Sequence, residues 1–158
     1  MKGPPTVKTV VHKKASQCFE DGDDRGRVVI SGDDTNGAYS VMEWRVAPVH
    51  AASGSKEDYG IHLHRECEET FIVKSGSLKF LLGSQLVVLN EGDFVRVPKG
   101  VRHGYRNVSG EAVDLVVSFL PAGLERLFIK YRTDQPTIPG PGFIAEATRD
   151  HASEFGLD

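Results

Sequence analysis

Three histidines and one glutamate are the residues of this chain whose types and spacing point most directly to chemistry. His62 and His64 lie two positions apart, and Glu69 follows five positions later. His103 comes shortly after a Pro-Lys-Gly turn. Imidazole and carboxylate groups together bind divalent transition metals, here iron, nickel, copper, manganese or zinc. The spacing therefore predicts a metal site with four protein ligands, in which Glu69 serves either as a ligand or as a base beside the ion.

The spacing of these residues fits β-strands. Alternate side chains of a strand point to the same face, so His62 and His64 project together, and Glu69 lies on one face of the next strand. His103 and Tyr105 share a face of a later strand, which begins after a turn set by proline and glycine. Tyr105 is therefore a candidate catalytic residue that donates a hydrogen bond or a proton to a substrate. The alternative is that it is an amphipathic residue at the mouth of a barrel.

Turn signals recur along the chain at the intervals typical of an all-β sandwich or barrel. Hairpin turns are predicted at 74–77 and 82–85. After residue 123 the apolar spacing becomes helical, and a second helix is predicted from Ala145 through Phe155, ending at Gly156. The predicted strands are 6–12, 25–31, 38–47, 61–64, 69–74, 78–82, 85–90, 93–98, 103–107 and 112–120.

Two runs of residues resemble the two motifs of the cupin superfamily. The family's first motif opens with a glycine where this chain has Lys56, which affects the approach loop rather than the ligands. The resemblance implies a jelly-roll β-barrel with a short C-terminal helical extension. It also implies one domain over 1–158, with a barrel core at about 39–120 and a tail at about 121–158. The matching residues are His62, His64, Glu69 and Gly76 in the first motif, and Gly92, Pro98, Gly100, His103 and Asn107 in the second.

Within the superfamily, the chain resembles the small quercetin-dioxygenase-like proteins, whose relatives include polyketide cyclases. This resemblance implies a metal-dependent enzyme, foremost a dioxygenase that uses O2, acting on a small enolic, phenolic or polyketide-like molecule. A non-oxidative metal-dependent cyclase, isomerase or lyase is one alternative, and a small-ligand binding module without catalysis is another. The resemblance also implies a homodimer in which N-terminal strands, at 6–11, are paired or exchanged.

Composition excludes several other classes of protein. The net charge of −3 gives no basic surface for nucleic acid. No apolar run is long enough for a membrane span, and the N-terminus lacks the apolar core of a signal peptide. Cys18 and Cys67 are far apart and are predicted to be free thiols in the cytoplasm. We therefore expect a cytoplasmic protein with a small-molecule substrate and neither a nucleic-acid nor a membrane partner.

Several polar residues near the motifs have open or structural roles. Glu43, Arg45 and Arg96 are solvated if only one face of their strands packs on the core, and one of them could line the pocket if both faces are covered. Cys67 could compete for a soft metal, but a partly buried spectator is favoured. Asn107 is predicted to bond a nearby turn. The remaining histidines lack spaced partners and are not predicted to be ligands; they are His12, His50 and His151.

Overall fold

A computed structural model describes residues 10–11, 17–21, 24–48, 59–131 and 141–155. These residues form eleven β-strands and two α-helices. None of the helices in the described part of the chain is long and apolar enough to cross a membrane. The elements are β1 Gln17–Asp21, β2 Asp24–Ile30, β3 Ser40–Val46, β4 His62–His64, β5 Glu68–Ser75, β6 Ser77–Leu82, β7 Gln85–Asn90, β8 Phe94–Val97, β9 His103–Arg106, β10 Val113–Leu120, α1 Glu125–Tyr131, α2 Pro141–His151 and β11 Ser153–Phe155.

Two antiparallel sheets pack face to face around an apolar core. One sheet has the strand order β1-β2-β3-β10-β5-β8 and the other has the order β11-β4-β9-β6-β7. Every second side chain of β10 is buried between the sheets, which is the alternation expected of strands with one face on the core. The predicted all-β jelly roll with a C-terminal helical extension is confirmed.

The outer face of the first sheet carries the charged residues whose roles the sequence left open. Glu43 lies between cations of β2 and β5, and Arg45 makes a two-pronged contact with Asp114 at 2.9 Å. Arg96 pairs with Glu68 through two nitrogens, Nε and Nη2, each donating to one carboxylate oxygen. The alternate residues of β3 and of β8 are buried, so these three charged side chains are solvated, as expected when one face packs on the core.

The turn around Gly76 differs from the predicted hairpin. β5 and β6 belong to different sheets, and Ser75 pairs with Asp114 of β10 rather than with β6. Gly76 has a φ of 83°, and a Cβ there would lie 3.0 Å from a methyl group of Val113. Glycine is needed because the chain crosses between the sheets in a left-handed conformation beside a buried strand. The hairpin predicted at 82–85 is confirmed by the pairing of β6 with β7.

The C-terminal tail begins with the predicted helix α1 but ends differently from the prediction. α2 stops at His151, where Ala152 takes a φ of 47°. The next three residues form β11, which pairs with β4. The prediction of a helix through Phe155 was wrong because the backbone gains ladder hydrogen bonds from β4 that a helical periodicity cannot reveal.

The predicted N-terminal strand falls mostly outside the described residues. Val10 and Val11 are described and are not part of a strand. The dimer-forming role expected for residues 6–11 stays a prediction. The first strand of the described chain, β1, lies further along and was not predicted.

Candidate metal centre

Three histidines come from one sheet and the glutamate comes from the other. β4 and β9 are neighbours in their sheet, and His62 is directly opposite His103 in the pairing. The Gly100 amide donates to the His64 carbonyl at 2.7 Å, which holds the turn before β9 against the end of β4. Glu69 is on the buried face of β5, in the facing sheet. The four side chains therefore converge in the interior from rigid strands.

The donor atoms of these four residues lie within 4.8 Å of one another. Glu69 Oε2 accepts a hydrogen bond from His103 Nε2 at 2.8 Å and lies 3.3 Å from His64 Nε2. Nitrogen and oxygen ligands lie about 2.0–2.2 Å from a bound zinc ion, so two of them are at most about 4.4 Å apart. The four residues thus fit one ion after a contraction of about half an ångström. The structure brings together the four predicted ligands.

The outward-facing nitrogens of the imidazoles are also hydrogen-bonded. His62 Nδ1 lies 2.7 Å from the Gly60 carbonyl, and His103 Nδ1 lies 3.0 Å from the Val101 carbonyl. A carbonyl only accepts hydrogen bonds, so each Nδ1 carries the proton. When His62 is neutral, its Nε2 presents a lone pair to the centre, which is the tautomer that binds a metal.

Burial and the close contacts set the charges at the centre. Burial opposes ionisation of Glu69, but hydrogen bonds from His103 and His64 outweigh it and hold the pKa of the carboxyl below its usual range. Burial likewise opposes protonation of His103, yet its bond to Glu69 raises its pKa. Burial, reinforced by the charge of His103, lowers the pKa of His62 to about 4. A cation bound here would therefore displace the proton on His103 and find a carboxylate already ionised.

Aromatic rings surround the deep side of the centre. The Phe71 ring centroid lies 6.2 Å from that of His103 and 5.8 Å from that of Tyr105. Phe80 is parallel to both His103 and Tyr105, at 6.4 and 6.3 Å. Tyr105 is partly exposed within this wall. Its location is compatible with the catalytic role predicted for it, and that role stays a prediction.

Cys67 and Asn107 have the non-ligand roles that the sequence favoured. Cys67 is buried, and burial together with the charge of Glu69 raises the pKa of its thiol to about 12. The four-residue donor cluster of the described chain does not contain it. Asn107 is buried, donates to the Glu111 carbonyl at 2.7 Å and accepts from the Ser109 amide at 3.0 Å. Its side chain stabilises the turn after β9.

Three residues that support the centre were not predicted. Gly104 allows the preceding loop to cross β9, because a Cβ there would lie 2.3 Å from the Tyr59 carbonyl oxygen. Ser153 Oγ lies 2.7 Å from His64 Nδ1. Phe155 stacks on His62 with centroids 5.5 Å apart. Gly104, a glycine inside a predicted strand, was a sequence signal for the close approach of another backbone. The sequence of β11 gave no such signal, because it is only three residues long and of mixed polarity.

The remaining histidines do not reach the centre within the described chain. His151 ends α2, with its ring beside Gly123. It is not part of the donor cluster, as predicted. His12 and His50 lie outside the described residues.

Comparison with protein families identifies the fold. A family model described as "Cupin domain" matches residues 49–119, which include all four candidate ligands. The chain thus carries a cupin domain over these residues.

Two curated proteins match short parts of the chain. Quercetin 2,3-dioxygenase of Bacillus subtilis is 34% identical over 55 residues, which are 34% of this chain and 16% of that protein. An uncharacterized protein of Aquifex aeolicus is 39% identical over 56 residues, or 35% of this chain and 46% of that one. The matches thus span less than half the length of either relative.

Solved structures agree on the fold over a longer stretch. The nucleoside dehydratase Pac13 of Streptomyces superimposes with a TM-score of 0.58 at 21% identity, covering 76% of this chain and 88% of that one. At this identity the likeness establishes the fold alone. Proteins similar to this chain thus include enzymes of different reaction types.

Proposed function

We propose that this cupin is a metal-dependent enzyme that acts on a small oxygen-bearing molecule, with dioxygenation of an enolic or phenolic substrate as its reaction. The observation that carries the proposal is the convergence of three imidazoles and one ionised carboxylate on a single point between the sheets. A divalent transition metal held there would supply a Lewis acid for an enolate or phenolate oxygen and, if redox-active, electrons for O2.

Burial around the centre supports a catalytic rather than a purely structural role. His103 is fully buried, whereas His62 on the neighbouring strand is partly exposed. A small molecule can therefore approach from the side of His62, while the aromatic wall behind His103 excludes water. Closed structural metal sites have no such approach.

The environment of Glu69 favours a ligand role over a base role. The residue is 5% exposed and its carboxylate contacts two imidazoles, which makes the carboxylate a weak proton acceptor. Effective general bases have a pKa near the working pH. We propose that Glu69 fixes the two imidazoles and neutralises part of the ion's charge. Tyr105, at the partly exposed edge of the aromatic wall, would donate a hydrogen bond to a substrate oxygen.

The similarity to quercetin 2,3-dioxygenase supports dioxygenation as the reaction to test first. Metal-free protein would be loaded in turn with iron, manganese, nickel, copper or zinc and mixed with a panel of flavonols in an oxygen electrode. We expect O2 uptake that matches substrate loss with at least one redox-active ion, and none in His62→Ala treated in the same way. Conversion of substrate without O2 uptake would contradict dioxygenation and favour a non-oxidative cyclase, isomerase or lyase. Binding of a flavonol without any conversion would indicate a small-ligand binding module without catalysis.

Two variants assign the roles of the remaining residues. Glu69→Gln should lose metal and turnover together if Glu69 is a ligand, whereas retained metal with lost turnover would show that it is a base. Tyr105→Phe should lower kcat by about 100-fold or more if the phenol transfers a proton, with metal affinity unchanged. Unchanged kcat in this variant would make Tyr105 part of the wall alone.

A further inference from the structure

The last strand of the described chain lies directly beside two of the candidate ligands. β11 pairs antiparallel with β4, which places Ser153 opposite His64 and Phe155 opposite His62. The Arg65 amide extends this contact by donating to the Ala152 carbonyl at 2.9 Å. Each ligand on β4 therefore has one residue of β11 fixed against it by the register of the sheet.

The hydroxyl of Ser153 sets the orientation of His64. Ser153 is fully buried, and its Oγ lies 2.7 Å from His64 Nδ1 and 3.5 Å from the His151 carbonyl. A carbonyl only accepts, so the hydroxyl proton points to His151 and the oxygen accepts from His64 Nδ1–H. With its Nδ1 held by Ser153, His64 Nε2 points to Glu69 and would present its lone pair to a bound ion in place of that contact. The Nδ1 atoms of His62 and His103 are hydrogen-bonded to backbone carbonyls, whereas Nδ1 of His64 is hydrogen-bonded to a side chain.

Phe155 restrains the second ligand by packing. Its ring lies at 15° to that of His62, with centroids 5.5 Å apart. Its ring also lies near that of Phe143 of α2, with centroids 6.4 Å apart and the rings nearly perpendicular. Phe143 and Ala147 are buried in the core, so α2 is anchored there and packs against β11 through Phe143 and Phe155. The His62 ring is thus held between Phe155 and the strand partner His103.

We propose that Ser153 and Phe155 are positioning residues of the metal centre, so that docking of β11 and metal binding stabilise each other. This inference rests on the metal centre proposed above. If it holds, the C-terminal strand is part of the functional site, although it lies 89 residues from its partner His64 in the sequence. Partners of ligand imidazoles fix the ring and its tautomer, and their loss typically weakens metal binding by about 10–100-fold.

The test is the cobalt(II) affinity of metal-free protein, followed by the visible absorption of the bound ion. Ser153→Ala is expected to bind Co2+ about 10–100-fold more weakly than the wild type, with an altered absorption band because His64 reorients. Ser153→Thr retains the hydroxyl and should restore most of the affinity. Phe155→Leu keeps an apolar side chain without the ring stack and is expected to bind about tenfold more weakly.

Ser40→Ala is the matched control. Ser40 is also fully buried, and its hydroxyl has no hydrogen-bond partner among the described residues. This variant should bind cobalt as the wild type does. Circular dichroism and thermal unfolding of each metal-free variant separate a general loss of stability from a loss of affinity. If Ser153→Ala does not fold, the cobalt affinities of Phe155→Leu and Ser40→Ala are compared instead. Binding about tenfold weaker in Phe155→Leu supports the proposal, and equal binding overturns it.

Hydrogen exchange tests the coupling itself. Bound cobalt should slow amide exchange at residues 153–155 in the wild type, and less so in Ser153→Ala. Equal exchange with and without cobalt, or equal affinity of wild type and Ser153→Ala, would overturn the inference while leaving the metal centre intact. A wild-type chain that takes up no cobalt would instead overturn the metal centre and this inference with it.

Discussion

The contact between Glu69 and His103 yields a prediction for the metal-free protein. The two side chains are 7% and 0% exposed and are joined by a 2.8 Å hydrogen bond. Removing one member of a buried ion pair leaves the other charge uncompensated, which typically costs about 3–5 kcal/mol. His103→Ala should therefore lower the free energy of unfolding by at most about this amount, because Glu69 keeps its 3.3 Å contact with His64, out of a total of about 5–15 kcal/mol for a typical domain.

The loss in free energy of unfolding when Glu69 and His103 are both replaced should be smaller than the sum of the losses in the two single variants. Glu69→Ala leaves an imidazole that can become neutral by losing a proton, so we expect it to cost about 1–3 kcal/mol. In the double variant no buried charge is left alone. The coupling free energy of the cycle is expected to be about 1–3 kcal/mol, within the range found for residues in contact.

Urea unfolding at neutral pH with a chelator present measures this cycle. Glu68 and Arg96 provide the control, because they form a two-pronged ion pair between β5, the strand that also carries Glu69, and β8, on the exposed face of that sheet. Exposed pairs are screened by water, so their coupling should be close to the experimental error. Additive effects at Glu69 and His103, or a coupling no larger than that of the control pair, would show that the centre does not hold a buried ion pair.

Three further predictions concern the surroundings of the centre. A Cβ at Gly104 would lie 2.3 Å from the Tyr59 carbonyl oxygen, so Gly104→Ala should displace the loop that precedes His62. Metal binding should then be about tenfold or more weaker in a competition titration, and an affinity equal to that of the wild type would contradict this. Because the pKa of His62 is lowered to about 4, the unfolded chain takes up this proton first as the pH falls, and metal-free protein should lose stability from about pH 6.5 towards pH 4. The Tm of His62→Gln should fall less steeply over that window; an equal slope would argue against a His62 imidazole that stays neutral in the folded protein. Iodoacetamide should label exposed Cys18 but not buried Cys67 in the native protein, so a mass spectrum with two adducts would contradict the burial.

The sequence predicted the metal ligands because the signal is local. His62, His64 and Glu69 lie within eight consecutive residues, and strand alternation alone sets their faces. His103 follows a turn whose Gly100 takes a φ of 75°, the left-handed conformation that glycine adopts readily. The same alternation left Glu43 either in solvent or at the pocket, and only the packing of its sheet decides that it is solvated.

The features that escaped prediction depend on contacts distant in sequence. The apolar spacing of α2 continues to Phe155, although the chain reverses at Ala152 and pairs with β4. Whether Gly76 begins a hairpin or crosses between sheets depends on which strand pairs with β5, which a turn signal does not encode. The contact from Ser153 to His64 spans 89 positions and requires only a hydroxyl, so the residue type alone gave no indication of it.

Elemental analysis is the most direct measurement of the central claim that the four residues hold one metal ion. The protein would be purified without a metal-binding tag, exposed in turn to each candidate ion and dialysed. We predict close to one transition-metal ion per chain in the wild type, and a large loss in His62→Ala and His103→Ala, both with a native circular dichroism spectrum. A wild type that retains no ion, or variants that retain as much as the wild type, would contradict the claim.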